Sequence, residues 1–259
     1  MKDSLVLCYH GVSQGWPADI SIRPSQLERQ LRHFLDLGYR PVTFTEAVTE
    51  TRGDRTIAIT FDDAYRSILE IAFPLLERLG APATVFAPTA FVGTDRPIGW
   101  EGTDEWATTE WADEIQVMGW DELERLAAAG WEVGSHTRTH PHLTTLDDAQ
   151  LADELGRSRV EIEEALGRPC GSLAYPYGDT DRRVAHAAAA AGYVAAGGLL
   201  PDLLSERRPL LFPRISVGLG WSDSTVYRRA RPGFRRLQGS RAWPPMARVV
   251  GLKRLLPVG

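Results

Sequence analysis

Three short clusters in this 259-residue chain carry side chains fit for chemistry. Thr60-Phe61-Asp62-Asp63 sets two carboxylates side by side at the end of the apolar run TIAITF. Adjacent residues at a strand end point in different directions, so one carboxylate can bind a cation while its neighbour handles a proton. The same pair is equally suited to capping a following helix. Ser135-His136-Thr137-Arg138-Thr139-His140 closes a second run, WEVG. Histidines four apart converge on one side of a helical turn and offer two imidazole nitrogens to one metal, although an isolated pair of this kind is often plain surface. His142, two residues on, is read as a bystander. The third cluster, Ala174-Tyr175-Pro176-Tyr177-Gly178, follows CGSL. Its aromatics, proline and glycine describe either a stiff wall with exposed backbone amides or an ordinary turn.

Each cluster follows a predicted strand. Leu5–Tyr9, Thr56–Phe61, Ala83–Ala87, Trp131–Gly134, Cys170–Ala174, Tyr193–Ala196 and Leu211–Val217 read as strands. Between them lie helical patterns over Pro24–Leu37, Tyr65–Leu79, Asp121–Ala129, Leu146–Leu166 and Asp181–Ala191. Repeated β-α units of this kind imply a parallel α/β sheet, open or closed, whose reactive groups sit at the carboxyl ends of the strands. Phe91–Met118 breaks the rhythm. It is rich in tryptophan and acids, and Trp100, Trp106, Trp111 and Trp120 lie in or beside it. It is expected to form a lid or groove wall, with a dimer contact as the alternative.

Taken together and in this order, the three clusters resemble the motifs of the NodB-type polysaccharide deacetylases, the fourth carbohydrate esterase family, over roughly residues 5–217. The resemblance implies a distorted (β/α)7 TIM-like barrel over residues 1–222, with 223–259 as an extension. It implies a divalent metal, Zn²⁺ first with Co²⁺ or Ni²⁺ as alternatives, held by Asp63, His136 and His140. Asp62 would then be the general base, and an oxyanion would be held by the metal and a backbone N–H near Tyr177. Tyr175, Pro176 and Gly178 would complete that wall, and Trp221 is a further substrate candidate. The implied reaction removes an N-acetyl group from an N-acetylhexosamine glycan or conjugate. O-acetyl ester hydrolysis, hydrolysis of another C–N bond, and a degenerate glycan-binding site remain as alternatives.

Two positions depart from the family pattern. The arginine usual two residues before the proline is Ala174 here, and Arg214 is the candidate replacement as partner of Asp62, against a surface salt bridge. The usual C-terminal histidine is also missing. His10, ending the first strand, takes its place in the circularly permuted poly-N-acetylglucosamine deacetylase-like subgroup that the layout resembles. There it would be the general acid; otherwise it is a buried structural histidine.

Composition narrows the setting. The net charge of −5 divides into −14 over residues 1–223 and +9 over the rest, where no acid occurs. An acidic body argues against nucleic acid as a partner. The basic tail, with Trp243 and an apolar run, is expected either to lie on an anionic membrane surface or to pack on the acidic body. Cys8 and Cys170 are too few for a disulfide framework and are expected as buried thiols. No signal peptide or membrane-spanning run is evident, which suggests a cytoplasmic protein, peripheral to the membrane if the tail binds there. The sequence does not fix the oligomeric state.

Overall fold

The computed structural model describes residues 3–49, 55–94, 98–199 and 208–238. In chain order the strands are β1 (Asp3–Tyr9), β2 (Gly11–Val12), β3 (Ser21–Ile22), β4 (Arg40–Val42), β5 (Arg55–Phe61), β6 (Thr84–Ala87), β7 (Glu132–Ser135), β8 (Ser172–Ala174), β9 (Ala195–Gly198), β10 (Phe212–Pro213) and β11 (Ile215–Ser216). The α-helices are α1 (Pro24–Asp36), α2 (Phe44–Thr49), α3 (Phe73–Arg78), α4 (Trp120–Ala128), α5 (Asp148–Leu166), α6 (Arg182–Ala190), α7 (Asp223–Ala230) and α8 (Pro232–Gln238).

The main sheet is parallel throughout and runs β10-β9-β8-β7-β6-β5-β1-β11, with β4 paired to the first half of β5. Its two ends are halves of one segment interrupted at Arg214. β10 pairs with β9, and β11 pairs with β1 through Leu7↔Ile215 and Cys8↔Ser216. The sheet therefore closes on itself as a distorted (β/α)7 barrel. β2 and β3 form a separate two-stranded sheet.

Strand period decides what faces the interior. Leu5, Leu7, Tyr9, Ile57, Ile59, Phe61, Val85, Val133, Leu173 and Val217 belong to the core between barrel and helices. The alternate residues Val6, Ala58, Phe86, Ala174, Ala195 and Phe212 form a second, smaller cluster inside the ring. Two residues beyond Val6, Ala58 and Phe212 on the same parity stand Cys8, Thr60 and Arg214; His10 and Asp62 come two further along. Polar groups thus crown an apolar plug at the carboxyl ends of the strands.

The helices differ from expectation in one place that matters. The predicted helix over 65–79 opens with a wide π-type turn at Ile68–Ala72 before α3. Pro74 lacks the N–H that a regular ladder needs, and the chain before it is given over to the Asp62–Tyr65 turn. Residues 223–238 pack on the barrel. Asp223 accepts bonds from Arg29 and Gln30 of α1, at 3.0 Å each. The buried Arg235 reaches Asp3 and the Ser4 carbonyl. The tail residues 239–259, including Trp243 and its neighbours, lie outside the described residues. Among the described residues no helix is long and apolar enough to cross a membrane.

Small residues make room inside the ring. A Cβ on Gly197 would stand 2.6 Å from both Cδ and Nε of Arg214. Gly197→Ala should therefore displace the Arg214 side chain and cost about 1–3 kcal/mol, the range for overpacking a filled core. A thermal melt checks this, and a variant melting with the parent would show that the contact can relax.

Candidate metal centre

Asp62 continues the β5 ladder, its N–H donating to the Tyr9 carbonyl at 2.9 Å. Its side chain points into the ring and meets the Arg214 guanidinium in a fork: Nη1 to Oδ1 at 2.6 Å and Nη2 to Oδ2 at 2.8 Å. Nη1 also reaches Thr60 Oγ1 at 3.3 Å, and the guanidinium carbon lies 5.4 Å from the centre of the Phe86 ring. Both partners are buried. Burial alone would raise the Asp62 pKa, but the charge and hydrogen bonds of Arg214 override it and hold the carboxyl well below the usual range.

Asp63 turns off the strand with φ 68. Its Oδ1 lies 3.5 Å from His136 Nε2 and 3.6 Å from His140 Nε2, is buried, and accepts no hydrogen bond. His136 Nδ1 faces the Ala174 carbonyl at 2.8 Å. A carbonyl only accepts, so that nitrogen carries the proton and Nε2 presents its lone pair. Burial lowers both imidazoles, His140 to about 2 with His136 adding to the effect, so both rings are neutral, as metal ligands must be. Three donors about 2.0–2.2 Å from one divalent ion stand roughly 3–3.6 Å apart. The observed separations and the orphaned carboxylate oxygen fit such an ion, and the His₂Asp donor set suits Zn²⁺ or a similar cation.

The loops that hold these groups are strained. Every non-glycine residue with positive φ among the described residues belongs to a motif loop: Asp63, Ala64, Thr137, His140 and Tyr177. Such conformations cost of order 1 kcal/mol or more each and persist only where surrounding bonds over-determine them. Glu154 of α5 supplies several of those bonds. It accepts from the N–H groups of Arg138 (2.9 Å) and Thr139 (2.8 Å) and from the Thr139 hydroxyl (2.6 Å). His140 N donates to Thr137 Oγ1 at 3.1 Å.

His10 approaches the same Asp62 carboxylate, its Nε2 4.0 Å from Oδ2. Burial lowers it to about 4, with Asp62 opposing the shift. Cys8, read from sequence as a reduced buried thiol, is one, and it donates to the same Oδ2 at 3.4 Å. Tyr177 packs edge-on to His140 (4.7 Å) and stacks on His142 (4.0 Å). Pro176 and Gly178 are buried in the same turn. Tyr175, expected in the substrate wall, is fully buried and spends its hydroxyl on the Leu210 carbonyl at 2.8 Å, so it packs beneath that wall. His142 lies outside the donor group and faces Glu101 (3.3 Å) and Asp179 (3.7 Å). The Trp-rich segment packs on the centre. Trp100 stacks on the His140 ring at 3.9 Å and Trp106 meets Trp16 edge-on at 6.0 Å. Trp221 lies at the rim after β11, under the Arg229 guanidinium.

Comparison with known proteins agrees with this geometry. The family model described as polysaccharide deacetylase matches residues 49–196, more than half of the chain. The chain belongs to the polysaccharide deacetylase family. Among solved members, the polysaccharide deacetylase BC0361 from Bacillus cereus superposes with a TM-score of 0.72 at 21% identity, covering 88% of this chain and 69% of that one. The Streptococcus pyogenes deacetylase PplD, solved in complex with acetate, gives 0.71 at 19% identity, covering 88% and 98%. In sequence, the poly-beta-1,6-N-acetyl-D-glucosamine N-deacetylase of Staphylococcus aureus (strain MRSA252) is 24% identical over 171 residues, 61% of this deacetylase-family chain and 54% of the relative.

Two outcomes follow from the centre. Glu154→Ala removes three bonds from the 137–140 loop and should cost about 1–3 kcal/mol, as expected when half-buried donors lose a charged acceptor. It should also weaken metal retention, measured by thermal melt and metal analysis. Burial and then the Asp62 charge push Asp63 up to about 8 from 3.8. Between those values the folded, metal-free protein keeps a proton that the unfolded chain has lost, so stability falls as pH rises through that window. Chelator-treated protein should lose melting temperature across it, and Asp63→Asn should abolish most of that loss. An identical slope in both proteins would contradict the assignment.

Proposed function

We propose that this protein is a metal-dependent N-deacetylase acting on a glycan or glycoconjugate that contains N-acetylhexosamine. The observation that carries this reading is the juxtaposition of two carboxylates with opposite surroundings. Asp62 is locked ionised by Arg214, while Asp63 is orphaned beside two neutral imidazoles. Family membership supports the reaction class, and an acetate complex has been solved for one fold relative.

In this reading Asp63, His136 and His140 hold the divalent cation, with Zn²⁺ preferred. When bound, that ion supplies a Lewis acid for the acetamide carbonyl and lowers the pKa of water. Asp62 accepts the proton of the attacking water. Its fork to Arg214 keeps it oriented and makes it a reluctant holder of that proton. His10, 4.0 Å from Asp62 Oδ2 and neutral at rest, is placed to collect the proton and deliver it to the leaving amine. Water is thereby split between acetate and amine with no net proton change at the protein. A backbone N–H at the left-handed Tyr177 turn is the proposed second contact for the oxyanion. Trp100, Tyr177 and His142 offer ring surfaces for a pyranose to pack on.

Asp62→Asn should reduce acetate release at least about 10³-fold while metal content is kept, within the range for loss of a general base. Because it leaves Arg214 without a buried counter-charge, the variant should also melt lower. Retained activity would refute the base assignment. Acetate release from N-acetylated against O-acetylated glycans tests the substrate bond. A preference for the ester would make the protein an esterase, and no release from either by metal-loaded protein would leave a glycan-binding protein.

A further inference from the structure

The carboxyl end of β11 and the start of α7 enclose a cavity of about 750 Å³ lined by Asp19, Ser216, Trp221, Thr225 and Arg229, among others. It lies on the same rim as the metal centre. Ser216 follows Arg214 by two residues, and the next N–H, of Val217, donates to the Cys8 carbonyl at 2.8 Å. The cavity therefore adjoins the strand that carries Cys8 and His10.

Its most informative member is Arg229. The guanidinium lies over the Trp221 ring, 4.0 Å from the centroid. Other arginines in half-buried or buried places hold a carboxylate: Arg138 with Glu161, Arg159 with Glu163, Arg235 with Asp3. Arg229 has no hydrogen bond or ion pair among the described residues. Burial, and then Arg228, hold it down to about 10, so its surroundings disfavour its charge. Stacking on Trp221 satisfies one face of the guanidinium and leaves its N–H donors without an acceptor among the described residues. Asp19 lines the same cavity without pairing with Arg229. A small inorganic anion would gain nothing from that carboxylate. A sugar would, because its hydroxyls can donate to Asp19 while an acidic substituent takes the fork.

We propose that this cavity is a subsite for an acidic sugar unit, with its carboxylate or phosphate on Arg229 and its hydroxyls on Asp19 and Thr225, so that the glycan processed at the adjoining centre is anionic. This rests on the deacetylase reading, which it narrows to acidic glycans.

The test is calorimetric titration of the full chain with N-acetylglucosamine, N-acetylglucosamine 6-phosphate and glucuronic acid. At least one charged sugar should bind about tenfold more tightly than the neutral one, the scale of a charge-assisted bidentate contact. Arg229→Gln should abolish the preference. Arg229→Lys, which keeps the charge and much of the packing, should retain part of it, and melting curves of both variants show that they are folded. Equal binding of all three sugars overturns the proposal. So does a preference that survives Arg229→Gln, which would put the anion at the metal centre, or one lost equally in Arg229→Lys. Binding is read without turnover, so the two readings can fail separately. A charged-sugar preference in a protein that releases no acetate from any glycan would refute the deacetylase reading and leave the subsite standing.

Discussion

The structure turns on a buried ion pair. Asp62 and Arg214 are both withdrawn from water, and each would be costly alone. Their bidentate geometry, the Thr60 hydroxyl, the Cys8 thiol and the Phe86 ring together compensate. The pair also does mechanical work. Asp62 directly follows β5, and Arg214 interrupts the segment whose halves join β9 and β1, so the contact that aims the carboxylate also clamps the seam of the barrel. Gly197 is small for the same reason. The long arginine crosses the ring interior where larger side chains would stand.

Around that pair the molecule spends stability on geometry. Parity along the strands turns Cys8, His10, Asp62 and Arg214 inward, but parity cannot bring Asp63, His140 and Tyr177 to one point. Left-handed residues do that, and bonds from neighbouring elements, Glu154 above all, hold them there. The two adjacent aspartates end with opposite electrostatics because only one faces the arginine. One protein thereby keeps an ionised carboxylate beside a second one whose surroundings disfavour its charge.

Much of this was legible in the chain. Thr60–Asp63, Ser135–His140 and Tyr175–Gly178 each end a strand, and that placement survives in the structure because β-branched and apolar runs fix the strands locally. Less visible was anything depending on distant pairing. Arg214 could be named as a candidate but not placed, since 152 residues separate it from Asp62. The burial of Cys8 was foreseen, but its contact with Asp62 comes from parity with His10 inside a ring the sequence does not draw. Glu154 left a readable trace, an acid among Leu151, Leu155 and Ile162 on the buried face of α5. Tyr175 misled, because strand alternation sends it outward into the helix layer while its neighbours shape the mouth.

The seam at Arg214 has a consequence for how the protein is made. β1 is synthesised first, yet its partner on one side, β11, emerges more than two hundred residues later. Chains fold from the N-terminus as they leave the ribosome, at about 5–20 residues per second. For roughly ten seconds or more, then, a growing chain carries Asp62 without its counter-charge and a β1 edge without its neighbour. Translation of the closing segment is the moment at which Asp62 acquires its setting, and a message truncated before it encodes a barrel open along one side.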